Sequence, residues 1–93
     1  MAKWNLVFDS SAEKDLKKID KKLRKRIIEK LDWFSKNFDN LIPLSLTGEW
    51  RGFFKFRIGD WRAIYKVNWD KNQIIVYVIG HRKKIYKQKQ SVT

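Results

Sequence analysis

Arg57 and Arg62 stand on either side of Gly59-Asp60, and Lys55 precedes the first of them by two positions. Planar guanidinium forks hold phosphate oxygens in two places, so such a group suits a phosphate-rich partner. A second basic group follows in Ile79-Gly80-His81-Arg82-Lys83-Lys84-Ile85-Tyr86. Arg82 and Tyr86 leave the last strand near the first group if that strand lies alongside it. Tyrosine after isoleucine is more often a packing residue than a catalyst. His81 is a candidate base, although a lone histidine at a strand end is more often held by a structural hydrogen bond.

The spacing makes a geometric prediction. If Gly59-Asp60 is a two-residue hairpin loop with glycine at its first central position, paired residues have numbers summing to 119. Ile58 then faces Trp61, Phe56 faces Ala63 and Phe54 faces Tyr65, which gives one apolar face. The other face sets Arg57 against Arg62, Lys55 against Ile64 and Phe53 against Lys66. Like charges directly opposed destabilise a sheet, so the arginine pair reads as strain kept for function. The plain alternative is that both guanidiniums splay into solvent. Lys55 and Lys66 interleaved with Phe53 and nearby Trp50 describe a face that holds phosphates and stacks bases.

The overall charge agrees. The chain has 93 residues with 22 Lys and Arg against 10 Asp and Glu, a formal net charge of +12. Solubility needs a net charge of only about 2–8, so the excess points to an acidic or phosphate-bearing partner. The excess lies mostly in the second half, where only Glu49, Asp60 and Asp70 are acidic. Three separated carboxylates argue against a metal-dependent nuclease. The absence of cysteine excludes disulfides, thiolate metal sites and a cysteine nucleophile. No apolar run reaches the roughly 18 residues of a membrane span, and the first residues do not read as a signal peptide. A cytoplasmic domain follows, with no membrane partner.

The elements that must carry these groups are an N-terminal strand, two helices and three strands. Trp4 to Phe8 forms a strand. Ser10 and Glu13 have capping-box spacing for a first helix, with Ala12, Leu16 and Ile19 on one face. Asp20 caps a second helix whose stripe is Leu23, Ile27, Leu31, Phe34 and Phe38. So close a junction predicts an antiparallel helix pair. Pro43 breaks the pattern and Thr47-Gly48 begins a turn. Phe53–Ile58, Trp61–Trp69 and Gln73–Gly80 then form an antiparallel meander, with Asp70-Lys71-Asn72 as its second connection. The fold class is α+β, with one domain over residues 1–88 and a short disordered tail at 89–93.

The run from Leu46 to Tyr65, LTGEWRGFFKFRIGDWRAIY, resembles the central signature of the RelE/ParE toxin superfamily. The run from Ile79 to Tyr86 resembles that superfamily's closing motif, and element order matches along nearly the whole chain. The resemblance implies a β-α-α-β-β-β fold and the toxin of a type II toxin–antitoxin system. Its RelE-type members are ribosome-dependent endoribonucleases that cut mRNA in the ribosomal A site, without metal or cofactor. Motif matching then implies that Lys55, Arg57, Arg62, Arg82 and Tyr86 are catalytic, and the basic and aromatic residues around them, Arg51, Phe53, Lys66, His81, Lys83 and Lys84, are expected to bind RNA. RNA supplies its own nucleophile, the 2′-hydroxyl, so the protein needs a base, an acid and cations for the phosphorane. Lys55 and Tyr86 are the rival bases. Some members carry a lysine where this chain has Phe53, and the pairing offers Lys66 as its replacement. The implied partners are a RelB-like antitoxin in a hetero-oligomer, the ribosomal RNA and mRNA. Two alternatives stay open: a ParE-like gyrase inhibitor of the same fold, and an RNA-binding module with no chemistry.

Overall fold

A computed structural model describes residues 3–86. Strand β1 (Asn5–Phe8) leads into helices α1 (Ser10–Lys17) and α2 (Lys21–Lys36), and a 3-10 turn follows at Phe38–Asn40. Strand β2 (Leu44–Ser45), a second 3-10 turn (Gly48–Trp50) and strands β3 (Phe54–Ile58), β4 (Trp61–Asn68) and β5 (Gln73–His81) complete it. The expected domain end at 88 and the tail at 89–93 lie outside the described residues.

The class is the α+β arrangement that the sequence predicts, but the sheet has five strands in the order β1-β5-β4-β3-β2. β1 joins the meander by pairing in parallel with β5. A parallel partner needs a crossover, and the helices and meander supply it. β2 was not foreseen. It pairs only Leu44 with Lys55 and Ser45 with Phe54, because Pro43 has no N–H to extend the ladder.

Helix α2 keeps its predicted start. The Asp20 carboxylate accepts from the backbone N–H groups of Lys22 (3.1 Å) and Leu23 (3.5 Å). The first helix starts one residue earlier than the capping-box spacing implies. Asp9 is the cap, accepting from the Ser11 N–H at 3.1 Å, and Ser10 is already helical. The Asp9 N–H donates to the Val76 carbonyl at 2.9 Å, which holds Asp9 extended as a cap requires.

Ile27, Leu31, Phe34 and Phe38 of the predicted stripe are buried, against Ala63, Tyr65, Ile74 and Val76 of the sheet. Phe34 stacks on Phe56 at 4.1 Å and meets Tyr65 edge-on at 5.2 Å. The opposite face of the sheet carries a second, smaller core of Trp50, Ile64, Val78 and Ile85, with Leu46, Phe53 and Tyr77 at its margin. That core creates a correction. Trp50 is 6% exposed, so it packs and cannot stack on a base.

A bulge on β5 builds the second core. Ile64 pairs with Val78 while Tyr65 pairs with Val76, leaving Tyr77 as the extra residue. Tyr77 and Val78 therefore both join the outer core, and Val76 and Ile79 join the inner one. β1 ends opposite Val76, so the rest of β5 has no neighbouring strand on that side. Helix α1 takes its place. The Ile79 N–H donates to Asp15 Oδ2 at 3.0 Å, and Ser11 Oγ lies 2.6 Å from the Tyr77 carbonyl. Ser11 Oγ also lies 2.7 Å from Asp9 Oδ2, so one hydroxyl proton serves two acceptors.

Candidate active site

Five of the six predicted hairpin pairs form the ladder: Ile58 with Trp61, Arg57 with Arg62, Phe56 with Ala63, Lys55 with Ile64 and Phe54 with Tyr65, while Phe53 lies just before the strand and is not paired with Lys66 in it. Gly59 has φ of 60°, the positive value that the first central position of such a loop demands and that glycine adopts without strain. Two residues of turn thus fix the spacing of three cations.

The arginine pair is not symmetrical. Arg57 is exposed, whereas Arg62 Nη1 donates to the Gly59 carbonyl at 2.8 Å and the Trp61 carbonyl at 2.9 Å. Arg62 folds back over the turn, where these two bonds give it a structural task.

Arg82 reaches the same place from the end of β5. Its N–H donates to the Asp60 carbonyl at 2.8 Å, and its Nε lies 3.7 Å from Asp60 Oδ1. The two side chains of that ion pair are more than half exposed, so the backbone bond is the anchor and the pair is weak. The following turn docks through Ile85, which is fully buried over Gly80, and leaves Tyr86 39% exposed. Gly80 is itself paired with Arg62. The structure thus brings Arg57, Arg62, Arg82 and the turn bearing Tyr86 to one end of the outer face. Lys55 and Arg57 border a cavity of about 220 Å³ at the β3 edge, where β2 stops.

The residues expected to bind RNA divide into separate places. Lys66 Nζ sits 4.4 Å above the Phe53 ring and 6.0 Å from that of Tyr77, so the lysine does occupy the neighbourhood of Phe53. Tyr77 belongs to that group and was missed, because only the bulge turns it outward. Arg51 is exposed at the end of the second 3-10 turn. His81 departs most from expectation. It pairs with Trp61, whose side chain packs on the helix side, and the two rings meet edge-on at 5.7 Å. Opposed residues share a face, so His81 lies across the sheet from the Arg57–Arg62 row. The Lys83 N–H donates to His81 Nδ1 at 3.2 Å, the structural hydrogen bond that its position suggests.

Two ionisable groups behind the sheet are perturbed. Burial pushes the Asp15 carboxyl above its ordinary value of 3.8, against the opposing pull of the Ile79 N–H and of Lys18. Burial also raises the Tyr65 phenol, whose hydroxyl finds no hydrogen-bond partner. Tyr65 stays protonated and serves as a core ring. Among the described residues there is no group of three or more His, Cys, Asp or Glu side chains arranged to hold a metal.

Known proteins share this architecture. The sequence model of the ParE toxin of type II toxin–antitoxin systems (parDE) matches residues 6–86. The RelBE2 toxin–antitoxin complex of Mycobacterium tuberculosis contains a similar chain, with TM-score 0.77 and 21% identity, covering 87% of this chain and 100% of that one. A mutant of the E. coli toxin RelE in the free state has TM-score 0.73 and 20% identity, with 98% and 94% covered. The RelB–RelE antitoxin–toxin complex of Methanococcus jannaschii has TM-score 0.64 and 30% identity, with 86% and 94% covered. No curated protein sequence matches. The chain belongs to the ParE toxin family: it is a type II toxin with the RelE/ParE fold.

Proposed function

We propose that this toxin is an endoribonuclease that cuts mRNA in the ribosomal A site and so stops translation. The observation that carries this reading is the convergence of Arg57, Arg62 and Arg82 on one hairpin turn, with Lys55 on the same strand as Arg57. Three guanidiniums suit the extra negative charge of a phosphorane better than they suit a protein surface. Lys55 or Tyr86 takes the 2′-hydroxyl proton, and the 2′-oxygen attacks the adjacent phosphorus as the P–O5′ bond breaks. The departing 5′-oxygen takes a proton from a neighbouring acid or water, giving a 2′,3′-cyclic phosphate and a 5′-hydroxyl without metal or cofactor. Arg51, Phe53 and Lys66 flank the path of the strand, with Lys66 supplying charge where Phe53 supplies a ring.

The partners of this reading are the ribosome, mRNA and an antitoxin of RelB type, in the cytoplasm. The related chains crystallised with RelB support the last. An antitoxin segment would place acidic residues near Lys55, Arg62 and Arg82, and cover exposed apolar side chains such as Ile28, Trp33, Ile42 and Leu44. No helix among the described residues is long and apolar enough to cross a membrane.

A gyrase-inhibiting role is the second reading, favoured by the ParE family match and by Phe53 at a position where some RelE-type members carry a lysine. A translation reaction followed by mapping of message ends separates the two. New ends at defined codons, lost in Arg57→Ala, support the nuclease. Intact messages with relaxed or broken plasmid DNA support gyrase inhibition. Intact messages and DNA, with RNA still bound, leave an RNA-binding module.

A further inference from the structure

The basic residues after β5 do not all face the hairpin arginines. Lys83 and Lys84, with Lys18 from the end of α1, line a cleft of about 620 Å³ that also holds Trp61, His81 and Asp15. The cleft lies on the helix side of the sheet, because the Trp61–His81 pair forms its floor and packs toward the helices. The Arg62–Gly80 pair, one step along the same two strands, faces the other way. A strand bound at Arg57 and Arg62 cannot reach this cleft through the sheet.

The chemistry of the cleft points to a definite ligand. The ion pairs of the described residues, Lys36–Asp32 and Arg82–Asp60, leave Lys83 and Lys84 with no carboxylate. Asp15 is the one acidic group lining the cleft, and it accepts from the Ile79 N–H and offsets Lys18 alone, which leaves the charges of Lys83 and Lys84 uncompensated. Gathering lysines with so little acid costs stability unless a polyanion relieves it. The Trp61 indole and the His81 imidazole add two ring surfaces, the partners on which unstacked bases rest. The volume falls within the range of pockets that hold a small organic group, roughly 300–1,000 Å³. Acidic peptide would use the lysines but has little need of the rings.

We infer that this cleft is a second nucleic-acid site, which holds an unpaired nucleotide of structured RNA by its phosphate on Lys18, Lys83 and Lys84 and by its base against Trp61 and His81. It rests on the RNA-directed reading above, yet it is a different surface from the cutting site. The toxin then grips RNA on both faces of one sheet, with the substrate strand on the arginine side and an uncut segment on the other.

Binding of a mixed-sequence 2′-O-methyl oligoribonucleotide, which cannot be cut, tests it without catalysis. The expected result for Lys18→Glu/Lys84→Glu is a loss of about tenfold or more in affinity and a salt slope shallower by about two. Ultraviolet crosslinking of the wild type is expected to mark the peptides holding Trp61 and His81. Unchanged affinity and slope in the double variant, with binding lost in Arg57→Ala/Arg62→Ala, would overturn the second site and leave the nuclease reading standing. Loss in the lysine variant alone, with no message cut by the wild type, would do the reverse. RNA binding unaffected while an acidic antitoxin peptide is lost would show that the cleft is a peptide site and overturn the inference.

Discussion

The Ile85 side chain lies directly on the backbone of Gly80, so closely that a methyl group at residue 80 would stand 3.3 Å from Ile85 Cβ and 3.4 Å from its Cγ1. Gly80 is opposite Arg62, and Tyr86 follows Ile85, so this one contact sets the distance between an arginine and a tyrosine of the candidate site. Gly80→Ala is expected to push the turn outward by a few tenths of an ångström. Alanine suits a strand better than glycine does, so melting is expected to change by no more than about 1 kcal/mol. The rate of message cutting is expected to fall well beyond that. Ile85→Ala instead empties a buried site and is expected to cost about 2–5 kcal/mol in urea unfolding.

The two hairpin arginines should separate in a stability measurement. Arg57→Ala removes an exposed charge opposite another and is expected to be neutral or to stabilise by a few tenths of a kcal/mol. Arg62→Ala removes two hydrogen bonds to the turn and is expected to cost about 1 kcal/mol. Cutting is expected to fall in both. Equal stabilities in the two variants would show that the Arg62 contacts to Gly59 and Trp61 contribute nothing.

Asp15 gives a pH signature. Its pKa is raised on folding, so the folded chain holds the proton more tightly than the unfolded chain does. Stability from this group is therefore present below the unfolded value of 3.8 and is lost as pH rises through the folded value. Asp15→Asn keeps an oxygen for the Ile79 N–H, and its advantage over wild type is expected to grow as pH rises from 3 toward 7. Asp9 runs the other way. Its pKa is lowered by Ser11, so it stabilises above 3.8 and loses that contribution as pH falls. An Asp15→Asn variant destabilised equally at all pH values would mean that burial of the carboxylate costs little.

The identity of the base can be read from rate and binding measured apart. With Lys55 as the base, Lys55→Ala abolishes single-turnover cutting, and Lys55→Arg restores binding without rate because arginine keeps its proton. With Tyr86 as the base, Tyr86→Phe costs far more in rate than in binding, whereas a stacking ring survives that change. His81→Gln is expected to be milder than either, since His81 lies on the far face. Full activity in both Lys55→Ala and Tyr86→Phe removes this mechanism.

Local rules made the hairpin legible. A two-residue loop fixes the register by itself, and alternation from Phe54 to Tyr65 assigns the faces. The α2 stripe was equally plain, since its steps of three and four match a helix. The bulge at Tyr77 could not be seen, because Ile74 to Ile79 is unbroken apolar sequence with no alternation to lose. From it follow the errors about Trp50, which is buried by residues far along the chain, and about Tyr77. The face that His81 takes was hidden for a related reason: motif proximity to Arg82 says nothing about which face a strand end presents. The Arg62 contacts depend on a side-chain rotamer that spacing does not encode.

Strand β5 lies between β1 and β4, although it is the last strand to be translated. Until residues 73–85 have left the ribosome, β1 has no partner, α1 has no edge to cover, and Arg82 and Ile85 are not yet in place. Such long-range pairing also folds slowly compared with local structure. The group formed by Arg57, Arg62, Arg82 and Tyr86 is therefore incomplete until synthesis is almost over, so the chain is assembled with its candidate site finished last.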